Sequence, residues 1–166
     1  FQPGGLYRLT GMPSCEIKDA YIEADCVFSK EVHTVNEAFF FARNYTEIMQ
    51  IANGFVESLV RKSVKESHPV DRVCQWMLTN PTASLDTLAK KSFLSAKQFE
   101  RKFQERTGVH PKVFSRLVRF DKAFREKNLN PDQDWQNIAF DCNYYDYQHL
   151  VRDYKDFTGL KPTDFL

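Results

Sequence analysis

The stretch Arg101-Lys102-Phe103-Gln104-Glu105-Arg106-Thr107-Gly108-Val109-His110-Pro111 is echoed as Arg152-Asp153-Tyr154-Lys155-Asp156-Phe157-Thr158-Gly159-Leu160-Lys161-Pro162. Arginine, aromatic, threonine, glycine and proline recur in one order, followed by Phe114 and Phe165. Each residue of the second copy stands 51 places after its equivalent, as Arg152 does after Arg101 and Pro162 after Pro111. Phe99 and Leu150 keep the same offset, and both are apolar. A repeat at fixed offset means one structural unit built twice.

Working outward, each copy reads as two helices around a turn. Ser84 caps a short helix carrying Leu85, Leu88 and Ala89, and Lys91 to Leu94 make the turn. Ser95 with Gln98 three residues later is a capping-box start for a helix over Ala96–Arg106, whose Phe99 and Phe103 share one face. Gly108 ends it, because a left-handed C-terminal residue costs glycine nothing. Pro111 opens a long connector to about Glu126, striped by Val113, Phe114, Leu117, Phe120, Ala123 and Phe124. In the second copy Asp134 is the first cap, with Trp135, Ile138 and Ala139 inward. Asn143 tolerates a left-handed turn position. Asp146 caps Tyr147–Phe157, with Leu150 and Tyr154 inward, and Gly159 closes it. Aligning Phe93 with Tyr144 makes the second turn one residue longer.

The unit is a helix-turn-helix, whose second helix offers its outer face to the DNA major groove. With Phe99 and Phe103 buried, Ala96, Lys97, Glu100 and Arg101 lie outward; Tyr147, Gln148, Val151 and Arg152 correspond in the second copy. Arginine pairs bidentately with guanine, glutamine with adenine, glutamate accepts from cytosine, and valine touches a thymine methyl. The competing role for Arg152 is an i, i+4 surface pair with Asp156, worth only a few tenths of a kcal/mol. Lys112, Arg116, Arg119, Lys122 and Arg125 on the connector are candidates for phosphates, which position a protein without specifying sequence.

Charge supports an anionic partner for one block. The chain carries +1 overall, but residues 83–128 hold twelve Lys/Arg against five Asp/Glu. Residues 1–82 are net −2 and residues 129–166 net −4. The four cysteines are scattered without a C-x-x-C pair, which disfavours a disulfide framework or structural zinc and fits a reducing cytoplasm. No apolar run suits a bilayer span or a signal peptide. The chain opens on Phe1 in mid-domain style, so a piece of a longer protein is expected.

Upstream, Leu6-Tyr7-Arg8-Leu9 between glycines reads as a strand, to be paired with absent material or packed on the following helices. Helical spacing then recurs over Ile17–Phe28, with Ala20, Tyr21, Ala24, Val27 and Phe28, and over Val35–Ala42. A third helix, Thr46–Ser63, stripes Ile48, Ala52, Phe55, Leu59 and Val60, either for intramolecular packing or for a dimer seam. A boundary is placed at Glu66–Pro69, followed by a helix to Leu78 with Val70, Val73, Cys74, Met77 and Leu78 inward.

Residues from about 69 to 166 resemble the DNA-binding domain of AraC/XylS-family transcription regulators. The likeness rests on Leu88-Ala89, Ser95, Phe99-x-Arg101-x-Phe103, Gly108-x-x-Pro111-x-x-Phe114 and Arg119-Phe120. In the second copy it rests on Ile138-Ala139, Asp146, His149-Leu150, Arg152-x-Tyr154-Lys155, Gly159-x-x-Pro162 and Phe165. The resemblance implies seven helices, control of transcription initiation (usually activation) and contact with RNA polymerase. It places base contacts on Lys97, Glu100 and Arg101, then on Tyr147, Gln148, His149, Val151 and Arg152. Asn143 stands where the family usually has glycine.

The expected fold is therefore mainly α: two helix-turn-helix units joined by a long helix, preceded by a partial sensor region with one candidate strand plus helices. Residues 1–66 are assigned to that sensor or linker remnant and 67–166 to the DNA-binding domain. Within it the first unit spans about 84–108, the connector 111–127 and the second unit 134–159. The expected partners are double-stranded DNA and RNA polymerase, with a homodimer through the N-terminal region; no cofactor or metal is expected and no effector is named. The acidic second unit suggests that the first unit and connector anchor while the second tunes specificity, or that the fold has become a protein-interaction module. Dispersed histidines argue against an enzyme. Some relatives repair alkylated DNA through a cysteine-rich zinc site, which the isolated Cys15 and Cys26 do not supply.

Overall fold

The computed structural model describes residues 2–18, 21–28, 30–63 and 66–165. Its elements are α1 (Gly5–Thr10), α2 (Ala24–Phe28), α3 (Glu31–Phe41), α4 (Tyr45–Lys62), α5 (Pro69–Met77) and α6 (Leu85–Lys91). They continue with α7 (Ala96–Thr107), α8 (Pro111–Leu129), α9 (Trp135–Asp141), α10 (Tyr147–Thr158) and α11 (Pro162–Phe165). The seven helices from α5 onward match the expected count.

Two cores result. Val70, Val73, Cys74, Met77, Leu88, Ala89, Phe99 and Phe103 bury α5, α6 and α7 against one another. Ala123, Ile138, Ala139, Cys142, Tyr144, Leu150 and Tyr154 do the same for α8, α9 and α10. The connector serves both: Phe114 meets Phe103 edge-on at 5.4 Å, and Phe120 meets Tyr154 at 4.8 Å. Local signals set the ends. Ser95 Oγ accepts from Gln98 N–H while Gln98 Oε1 accepts from Ser95 N–H. Gly108 and Gly159 close α7 and α10 at φ +79° and +77°.

The turns sharpen the repeat. Among the described residues, Phe93 and Asn143 are the non-glycine ones at positive φ, +58° and +62°. Leu94 N–H donates to Ala89 O, and Tyr144 N–H to Ala139 O. Asn143 is thus the equivalent of Phe93, and Tyr144 that of Leu94, correcting the alignment of Phe93 with Tyr144. The added residue is Tyr145.

The expected strand at Leu6–Leu9 is instead helix α1. A lone strand leaves its backbone groups unpaired. Here Gly4 and Gly11, both left-handed, bound a self-satisfied helix whose Tyr7 carbonyl accepts from Gly11 N–H. This segment packs on the helices that follow, the second of the two arrangements expected for it: Tyr7 Oη donates to Glu105 at 2.7 Å, and Ser14 caps the end of α7 through Glu105 O and Arg106 O. The helix expected over Ile17–Phe28 is confined to α2, with residues 19–20 outside the described residues. Tyr21, expected inward, is fully exposed and lies outside α2. Leu78 also lies half-exposed rather than inward. On α4 Leu59 is buried and Phe55 meets Phe28 at 5.8 Å, whereas Ile48 and Val60 face outward with Phe40, Phe41 and Tyr45 nearby in sequence.

Candidate nucleic-acid interface

The two recognition helices, α7 and α10, present matched outer faces. On α7 Lys97 and Arg101 are exposed, and neither makes an ion pair among the described residues. Ala96 leans partly into the first core. Glu100 turns toward α8: its Oε1 lies 3.0 Å from Nε2 of His110. That imidazole also caps α8, Nδ1 accepting from Lys112 N–H at 3.3 Å.

On α10 Gln148, His149 and Arg152 are exposed, Val151 is half-exposed, and Tyr147 rests partly on the second core. Arg152 makes no ion pair among the described residues; Asp156, its partner in the competing role, pairs with Arg116. Asp146 Oδ1 accepts from His149 N–H at 2.9 Å and lies 2.9 Å from His149 Nδ1. These bonds, the backbone one first, hold the Asp146 carboxyl below its usual range.

The connector's cations are largely occupied within the chain. Arg116 Nε donates to Asp153 Oδ1 at 2.8 Å, and its Nη2 to Asp156. Arg119 stands 3.8 Å from Asp153 Oδ2, over the Tyr144 ring at 4.7 Å, and donates to Asn143 O. Burial, aided by the Asp153 carboxylate, pushes the Tyr144 hydroxyl upward. Lys122 Nζ donates to Asp141 O at 2.6 Å, and Arg125 pairs with Asp121. Lys112 alone of the phosphate candidates is exposed with neither an ion pair nor a side-chain hydrogen bond among the described residues. Arg116, Arg119 and Lys122 of that basic row thus fasten the second unit to the connector. The net negative charge of residues 129–166 is partly the complement of that row.

Between the two units runs a cleft of about 840 Å³, lined by Leu85, Pro111, Lys112, Arg119, His149 and Arg152 among others. The partners Asp71 and Asp153 escaped the sequence reading, as did the pairing of Asp156 with Arg116 and two exposed aromatics beside α10, Phe140 and Tyr145. The Tyr144-Tyr145 doublet just before the cap was the one available signal for the latter.

Among the described residues no cluster of His, Cys, Asp and Glu is arranged to hold a metal ion. Burial pushes the Cys74 thiol up to about 12 and that of Cys142 to about 11, which keeps both as inert core groups. No described helix is long and apolar enough to cross a membrane.

A family model described as a helix-turn-helix domain matches residues 88–166. Among solved structures, the chain is similar to the DNA-binding domain of AdpA, a global transcriptional factor crystallised with a target DNA. The TM-score is 0.55 at 24% identity, covering 60% of this chain and 90% of that one. At that identity the likeness shows the fold alone. No curated protein sequence matches the chain.

Proposed function

We propose that this chain, whose residues 88–166 belong to the AraC-type helix-turn-helix family, is a sequence-specific DNA-binding transcription regulator that sets α7 and α10 into successive major-groove segments. One observation carries the reading. Arg101 and Arg152 occupy the same place in the two units and stay exposed and unpaired, while Arg106, Arg116 and Arg119 beside them are engaged internally. Surface arginines that neighbouring carboxylates leave alone suit bidentate recognition of guanine, worth about 1–3 kcal/mol of discrimination each.

Lys97, Gln148, His149 and Val151 complete the reading surface, with Ala96 and Tyr147 at its inner edge. Glu100 reads a base only by releasing His110. Backbone phosphates fall first to Lys112; Arg116, Arg119 and Lys122 reach one only by leaving Asp153 and the Asp141 carbonyl. In this reading the regulator activates through RNA polymerase in the cytoplasm. Residues 1–66 end a sensor region, and two chains pair through the exposed aromatics Phe40, Phe41 and Tyr45.

Selection of bound sequences from random duplexes tests the proposal. Two half-sites about one helical turn apart are expected, with specificity relaxing at one site in Arg101→Ala and at the other in Arg152→Ala. Log affinity should fall linearly with log salt, by about −0.9 per neutralised phosphate. A chain that binds no duplex at low salt is a protein-interaction module, the alternative that the acidic second unit raises.

A further inference from the structure

The second unit has few free cations to hold DNA with. Residues 129–166 are net −4, and Arg116 and Arg119 of α8 are engaged by Asp153 and Asp156. Beside Arg152 and Lys155, this unit exposes aromatic surface. Tyr145, the residue added relative to the first turn, is 90% exposed, and Phe140 on α9 is 81% exposed. Together with Tyr147 and Gln148 they line one shallow depression at the start of α10. The Tyr145 ring stands edge-on to His149 at 5.8 Å and 80°, so it is aimed along the reading face. None of this serves the core: Tyr144, its neighbour, fills that role.

We infer that Tyr145 is a further DNA-contacting residue of the second unit, which grips the groove edge beside Arg152 through neutral aromatic contacts from Tyr145 and Phe140. The inference rests on the DNA-reading proposal above and deepens it. A tyrosine hydroxyl donates to a phosphate oxygen without carrying charge, and its ring covers a deoxyribose or a thymine methyl. An uncharged contact displaces no condensed counterion, so its contribution is independent of salt. The second unit then adds salt-insensitive contact at Tyr145 and Phe140 to the salt-sensitive attraction at Lys97, Arg101, Lys112 and Arg152.

The test uses the full chain and a duplex selected by it. Tyr145→Ala should weaken binding by about 3- to 10-fold, the range of one lost neutral hydrogen bond and its contact, with an unchanged salt slope. Lys112→Ala should flatten that slope by about 0.9. Tyr145→Phe separates hydroxyl from ring: a loss equal to that of alanine assigns the contact to the phosphate, full retention assigns it to the ring. The side chain is exposed, so thermal unfolding of both variants should match the parent. If the parent binds duplex and Tyr145→Ala binds equally well, or loses affinity only through a shallower salt slope, the inference falls while the DNA-reading proposal stands. If the parent binds no duplex, both fall.

Discussion

Arg106 Nη1 donates to both carboxylate oxygens of Asp71 at 2.8 Å, with each side chain only 7% exposed. The pair clamps the last turn of α7 to the first turn of α5. Around it, Asp71 Oδ2 accepts from His68 N–H at 2.9 Å, and the Tyr7 ring lies 4.7 Å from the guanidinium. The N-terminal segment, the capping box of α5 and the end of the first recognition helix therefore share one buried charge pair.

Removing one partner strands the other charge in the core. Arg106→Met should cost about 3–5 kcal/mol of stability, whereas Arg106→Met with Asp71→Leu should recover most of it. Urea unfolding of both variants and the parent checks this. A single variant as stable as the parent would mean that the pair contributes nothing.

Gly108 and Gly159 are equivalent in the repeat, yet their surroundings differ. A Cβ on Gly108 would lie 2.8 Å from Ser14 O, while one on Gly159 meets nothing within 4 Å. Both alanine variants incur about 1–2 kcal/mol for the left-handed backbone. Gly108→Ala must also displace the Ser14 backbone, so its melting temperature should fall further than that of Gly159→Ala. Equal losses would show that the N-terminal segment does not hold its place on α7.

His68 caps α5 by accepting from Val70 N–H through Nδ1 at 3.2 Å, which requires the neutral ring. Burial first, then Arg106, lowers its pKa below the ordinary 6.5. As pH falls, the unfolded chain takes up the proton before the folded one. The contribution is complete above the unfolded value and is lost as pH descends through the folded one. Thermal unfolding between about pH 7.5 and 5 should show a decline of the size of one cap, on the order of 1 kcal/mol. His68→Asn keeps an acceptor without the titration and should flatten this window.

The recognition units were legible because their signals are local. Phe99, Phe103, Leu150 and Tyr154 are fully buried as their spacing requires, and the capping box at Ser95 sits within one helical turn. Partner choice across helices was not legible. Whether Arg116 meets solvent or Asp153, 37 residues away, depends on how α10 lies against α8, which no local pattern encodes. The N-terminal piece failed for a related reason. Four largely apolar residues between glycines fit a strand or little more than one helical turn, and packing on the surface of α7 decides between them.

Phe93 offers the last test, because an aromatic residue at φ +58° with its ring 85% exposed gains little from packing and bears the steric cost of the left-handed region. Phe93→Gly relieves about 1–2 kcal/mol of that cost and returns about 0.5–1 kcal/mol through greater freedom of the unfolded chain. The net expectation is stabilisation of about 0.5–1 kcal/mol. Asn143, at the equivalent position, already tolerates this conformation, so Asn143→Gly should change stability by less than about 0.5 kcal/mol. Chemical denaturation of the two variants side by side reads the difference directly. A destabilised Phe93→Gly would place the ring in a packing role that its exposure denies, and parallel measurement of duplex affinity would show whether the strain is retained for contact with DNA.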